Sequence, residues 1–134
     1  MVYDYSGKIK IGNYSFIGNG TRIWSSKKIT IGNRVLISHN VNIHDNNSHP
    51  LNPIERHIHY KDIMLKGLNL ELPLNEKEII IDDDVWIGFN STILKGVKIG
   101  KGAIIGSNTV VTKDVPEYSV CIGSPCKIIN QIIC

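Results

Sequence analysis

Residues 81–116 read IDDDVWIGFNSTILKGVKIGKGAIIGSNTVVTKDVP, with an aliphatic residue at every sixth position: Ile81, Ile87, Ile93, Ile99, Ile105 and Val111. Upstream, Ile11, Ile17 and Ile23 keep the same spacing, two extra residues intervene, and the count resumes at Ile31, Ile37 and Ile43. Glycine follows the aliphatic at Gly12, Gly18, Gly32, Gly88, Gly100 and Gly106, and a small or β-branched residue tends to sit four places after it, as at Val35, Val85, Ser91, Ala103 and Thr109. Self-similarity at this period is the signature of a β-helical solenoid.

Each hexapeptide reads as one short strand and a corner, with the aliphatic pointing into a narrow shaft. Glycine after the aliphatic suits a corner that needs positive φ or a close backbone approach. No single repeat can bury its own apolar face, so stability is expected from the stacking of neighbours. An antiparallel sandwich would instead alternate with period two. The fold expected is therefore all-β, a solenoid of parallel strands interrupted by one long excursion loop.

The chain has 134 residues, 42% of them apolar, which predicts a single domain over 1–134 with enough hydrophobic material for a core. The net charge of +3 is modest and the basic residues are interspersed with acids, so no nucleic-acid partner is expected. No leader, long apolar run or lipidation pattern is read, and the expectation is a cytoplasmic protein without membrane insertion. Cys121, Cys126 and Cys134 are odd in number and lack metal-ligand spacing, which predicts buried or free thiols in a reducing compartment.

The period fails once, over about 45–78. Residues 45–53, DNNSHPLNP, are turn formers with two prolines, so the chain leaves the coil there. Excursions of this length in compact domains are usually functional or disordered. Ile63, Met64, Leu65, Leu68, Leu70, Leu72 and Leu74 make its second half apolar enough to pack on the solenoid flank or a neighbouring chain. Three hexapeptides from Ile31 to Ser48 complete one turn of a three-faced solenoid, which leaves His49 as the first residue beyond it, at an edge facing a cleft between chains.

The residues from Asp84 to Ile129 carry a family resemblance: DVWIG, ILKGVKIG, GSNTVVTKDVP and GSPCKII, with NSHP at 47–50. The chain resembles the hexapeptide-repeat acetyltransferases over about residues 9–129, in particular the galactoside, maltose and serine acetyltransferase branch and the surface-polysaccharide O-acetyltransferases. The resemblance implies a left-handed parallel β-helix, a departure from the usual chirality of parallel connections. It also implies a homotrimer with active sites at subunit boundaries, acetyl-CoA as donor, no metal, and direct transfer in a ternary complex to a saccharide hydroxyl.

A sugar hydroxyl is a poor nucleophile at neutral pH, so a base must take its proton during attack; histidine, with an ordinary pKa near 6.5, suits that task. The motif places His49 in this role, with His44 as the nearby competitor. Asp45, Asn46 and Asn47 are the candidates for fixing its tautomer. By resemblance the Phe89 amide serves the oxyanion, whatever its side chain, and Trp86 lines the cleft, touching both donor and acceptor. The match sets Ser107, Thr112 and Lys113 along the pantetheine and phosphates and Lys127 near the nucleotide. On the acceptor side, alignment puts Gly18 and Ser26 where galactoside-type relatives hold the sugar with Asn and Asp, so a different saccharide is expected. Its polar candidates are Ser25, Ser26, Asn40, Asn42, Asn47 and Arg56. The segment Trp24-Ser25-Ser26 and the short C-terminal end look closer to the polysaccharide-modifying branch.

Two other readings compete. His39, His44 and His49 are spaced by five, as in the zinc-binding γ-carbonic anhydrases on this fold, although no histidine precedes His39. A catalytically silent scaffold is the third.

Overall fold

A computed structural model describes residues 7–67 and 72–132. Each coil is built from three short strands. The first holds β1 (Lys8–Ile11), β2 (Phe16–Ile17) and β3 (Arg22–Trp24); the second holds β4 (Lys28–Ile31), β5 (Leu36–Ile37) and β6 (Asn42–His44). After the helix α1 (Pro53–Lys66), the third coil takes β7 (Ile79–Ile81), β8 (Trp86–Ile87) and β9 (Thr92–Ile93), and the fourth β10 (Lys98–Ile99), β11 (Ile104–Ile105) and β12 (Val110–Val111). The strands β13 (Ser119–Ile122) and β14 (Lys127–Gln131) follow. Strands of like position pair in parallel into three faces: β1-β4-β7-β10, β2-β5-β8-β11-β13 and β3-β6-β9-β12. β14 alone runs antiparallel, against β13.

The register shows why a period of six encodes this shape. Ile31 pairs with Ile81, Ile37 with Ile87 and Ile43 with Ile93, and each of these continues onto Ile99, Ile105 and Val111 in the fourth coil. The paired residues are essentially inaccessible to solvent. Three ladders of aliphatics thus fill the shaft, each rung covered by the next, at roughly 25 cal/mol per Å² of apolar area removed from water. In the first coil Ile9 and Ile11 remain exposed.

The glycine expectation needs a correction. The glycines that follow the aliphatics do not take positive φ; that conformation falls two residues later, on Gly20, Asn40, Asn90 and Asn108 at one corner. Asparagine tolerates the left-handed region because its short polar side chain bonds locally. What the leading glycine supplies is close approach: a Cβ on Gly88 would lie 2.6 Å from the Ser107 amide nitrogen of the next coil.

The excursion also differs from the expected loop. Its first half is α1, fourteen residues capped by Asn52, whose side chain accepts from the Ile54 and Glu55 amides, with Pro53 opening the first turn. Asn-Pro here is a helix start and not merely a turn. Of the apolar residues expected to pack, Leu74 is buried and Ile63 half-buried, whereas Met64 and Leu65 are exposed; Leu68 and Leu70 lie outside the described residues.

The cysteine expectation is modified: the turn between β13 and β14 brings Cys121 and Cys126 together at a Cα separation of 5.6 Å, a distance that a disulfide can span. Cys134 is outside the described residues. Among the described residues no helix is long and apolar enough to cross a membrane.

Candidate active site

The site begins at the corner between the third and first faces, where the two extra residues of the first coil form the bend 25–28. Beneath it, in the second coil, Asp45 is fully buried. Its carboxylate accepts from the Ser25 hydroxyl (2.7 Å), the Ser26 amide (2.8 Å), the Lys27 amide (3.0 Å), the Lys28 amide (2.8 Å) and the Asn46 side chain (3.1 Å). Burial pushes the Asp45 pKa up, but these donors outweigh it and hold the group below the ordinary carboxylate range. The Asp45 carbonyl accepts from the Lys77 amide at 2.8 Å, which ties the start of the excursion to its end.

From this anchor the chain turns outward in steps. The Asn46 side chain accepts from the Ser48 amide (2.7 Å), Asn47 donates its amide to Leu74 (2.9 Å), and Ser48 adopts φ +65°. His49 then emerges exposed, its amide held by the Asn47 carbonyl at 2.7 Å. Its Nδ1 lies 3.1 Å from Nδ1 of His59 on α1, and its Nε2 has no protein partner among the described residues. The partner of the His49 Nδ1 is therefore His59 and none of Asp45, Asn46 or Asn47. His59 carries no local motif; only the return of α1 onto the excursion brings it there.

His44, the competitor, stacks on Trp24 with ring centroids 4.7 Å apart, and its Nε2 is shielded from solvent without a partner. Burial lowers its pKa, with the Asp45 charge opposing and Arg22 reinforcing. His44 is thus half-buried with its Nε2 shielded, whereas His49 is exposed. His39 sits at another corner, stacked on Phe89 with centroids 5.1 Å apart. The histidines spaced by five thus have three different surroundings and do not converge as a tetrahedral zinc set would.

The remaining candidates occupy two corners and one face. Phe89 and Ser107 lie between the second and third faces, in one column with Asn19 and His39: the amides of Asn40, Asn90 and Asn108 donate to the carbonyls of Asn19, His39 and Phe89. The Phe89 amide donates to nothing among the described residues, and the same is true of the equivalent His39 and Ser107 amides, so a free N–H belongs to this corner generally. Thr112 and Lys113 are exposed just past β12, on the same edge of the solenoid as His49 but in the fourth coil. Lys127 opens β14, next to Cys126, whose amide donates to Val110 in β12 at 3.0 Å. Trp86 stands on the second face, 47% exposed.

On the acceptor side, the Ser26 amide and hydroxyl both turn to Asp45, and Ser25 is buried. Asn40 is exposed at the corner next to His39, Asn42 is half-buried in β6, and Arg56 is exposed on α1 with Nη1 3.4 Å from the Leu51 carbonyl. Within one chain, then, His49 and Phe89 stand at different corners. A cavity of about 260 Å³ lined by Lys98, Gly100, Asp114, Val115, Pro116 and Glu117 holds none of these candidates.

Comparison with known proteins agrees with this architecture. Residues 78–113 match the bacterial transferase hexapeptide family, described as six repeats. A provisionally named acetyltransferase of Schizosaccharomyces pombe is 36% identical over 132 residues, covering 98% of this chain and 57% of its own length. The galactoside O-acetyltransferase of Lactococcus lactis is 32% identical over 121 residues, covering 84% of this chain and 52% of its own. A hexapeptide-repeat acetyltransferase from Vibrio cholerae, solved with acetyl coenzyme A, superposes with a TM-score of 0.77 at 32% identity, over 93% of this chain and 61% of that one. The chain thus spans a little over half the length of the curated relatives it matches. The solenoid is the left-handed parallel β-helix, and the chain is a member of the hexapeptide-repeat transferase family.

Proposed function

We propose that this protein is a cytoplasmic acetyl-CoA-dependent O-acetyltransferase acting on a saccharide hydroxyl. The observation that carries the reading is His49: an exposed imidazole on a firmly anchored turn, one nitrogen tied to the protein and the other open. In the reaction, Nε2 of His49 takes the acceptor hydroxyl proton as the oxygen attacks the thioester carbonyl. The resulting oxyanion is met by the Phe89 amide, and collapse expels the CoA thiolate, which recovers the proton from His49. Such a base contributes about 10²- to 10⁴-fold, and a preorganised amide donor a comparable amount.

The two groups stand at different corners of one chain, so the complete site requires two chains, in a homotrimer whose seam joins His49 of one subunit to Phe89 of the next. Exposed apolar residues support this: Phe16, Leu36 and Trp86 run in register along the second face, continued by the half-buried Ile104 and Val120. Ser107, Thr112, Lys113 and Lys127 are assigned to the donor, lysine serving as a point charge for phosphate. Trp86, Asn47, Ser26 and Arg56 are assigned to the acceptor side; Ser26 acts there through its place in the bend, since its polar groups are held by Asp45. The galactoside specificity of one relative favours a sugar acceptor.

His49→Ala tests the base. Acetyl transfer is expected to fall by about 10²- to 10⁴-fold with CoA binding retained, because the base acts on the transition state more than on donor binding. Unchanged turnover would falsify the assignment.

A further inference from the structure

We infer that His59 is a positioning residue that selects the reactive tautomer of His49. The inference rests on the reading of His49 as general base. A hydrogen bond between the two Nδ1 atoms, 3.1 Å apart, needs one proton and one lone pair. If His59 donates, neutral His49 carries its proton on Nε2 and has no lone pair for the acceptor hydroxyl. If His49 donates, its Nε2 is open. On taking the substrate proton, His49 must hold protons on both nitrogens, so only His59 as acceptor is compatible with the charged form. That arrangement leaves the charge on the exposed ring and the buried ring neutral, which is the cheaper distribution.

The helix points to the same role. Among the described residues of α1, His59 is the one buried, at 0% exposure, while Ile54, Met64 and Leu65 are about two-thirds or more exposed (73%, 67% and 71%). A helix held only by packing would bury its aliphatics and leave an imidazole outside. Here the buried position goes to a polar ring directed at His49, edge to face at 5.2 Å between centroids. The Asn52 cap and Pro53 fix where α1 starts, and hence the placement of His59.

The test combines ring ¹⁵N NMR on histidine-labelled protein with kinetics on His59→Leu and His59→Asn. Wild-type His49 is expected as the Nδ1–H tautomer at neutral to slightly alkaline pH. His59→Leu removes the acceptor, and is expected to shift His49 toward Nε2–H and to lower kcat by about 10- to 100-fold, as for other groups that orient a functional histidine, with KM for acetyl-CoA unchanged. In His59→Asn the amide oxygen stands near the lost Nδ1 and is expected to restore part of both. A wild-type His49 protonated on Nε2 would overturn the inference whether or not the variants fold. So would undiminished kcat in His59→Leu, or equal losses in two folded variants. If His49→Ala stays active, the base assignment fails instead, and the tautomer measurement still reports on the pair.

Discussion

His44 and Asp45 are adjacent in sequence and answer acid in the same direction. The depressed pKa of His44, caused first by burial, means that the unfolded chain binds this proton more readily than the folded one. Stability is therefore lost as pH falls below the ordinary histidine value near 6.5, by at most about 1.4 kcal/mol per pH unit for a single proton. Replacing His44 with Phe keeps a ring against Trp24 and removes the titration. The denaturation midpoint of His44→Phe is expected to vary less between pH 7 and 5 than that of the wild type; an equal slope would assign the acid sensitivity elsewhere. Asp45, held below the carboxylate range, adds stability that is present above about pH 3.9 and is lost only in stronger acid. At this scale the motif's preference for His49 over His44 rests on a local feature, the outward turn that leaves His49 exposed while His44 stacks on Trp24. The partner of His49 was not readable: His59 lies ten residues on, in a segment whose turn-like Asn-Pro start concealed a helix.

The excursion is an element held at its root. Asp45 joins the two-residue insertion of the first coil to the departure point of the second, and its carbonyl joins the departure to the return at Lys77. Asp45→Ala would leave the amides of Ser26, Lys27 and Lys28 without an acceptor, at about 1–3 kcal/mol for each that stays dry. An overall loss of about 3–5 kcal/mol is expected in equilibrium unfolding, at the upper end for single substitutions. The tether of His49 should loosen with it. A loss under about 1 kcal/mol, within the range of ordinary surface changes, would mean that water replaces the carboxylate. The interruption of the period marked where this element begins and ends, β6 closing at His44 and β7 opening at Ile79. Its interior was not legible, because helix α1 exposes most of its apolar residues and so lacks the pattern by which buried helices are recognised.

For the whole molecule, the ladder Phe16–Leu36–Trp86 on the second face is more apolar than an outer surface of a solitary solenoid needs to be. If it forms the subunit seam, Leu36→Asp is expected to reduce the particle mass in light scattering from three chains toward one. The inward ladders are untouched by that change, so far-UV circular dichroism should stay the same. A trimer that survives the substitution would place the seam on another face.

The spacing of Ile and Val was enough to determine the coil, its three faces and the rungs of its core, since inward positions that recur every six residues admit one register and a slip would expose a whole ladder. It was also enough to identify the turn that carries His49. Only the tertiary structure decided that Asp45 is a buried clamp, that Cys121 meets Cys126, that glycine serves close approach while asparagine takes the left-handed corner, and that His59 faces His49. Each of these joins groups through the stacking of coils or the fold-back of α1, contacts made across space between segments whose local sequences carry no trace of one another.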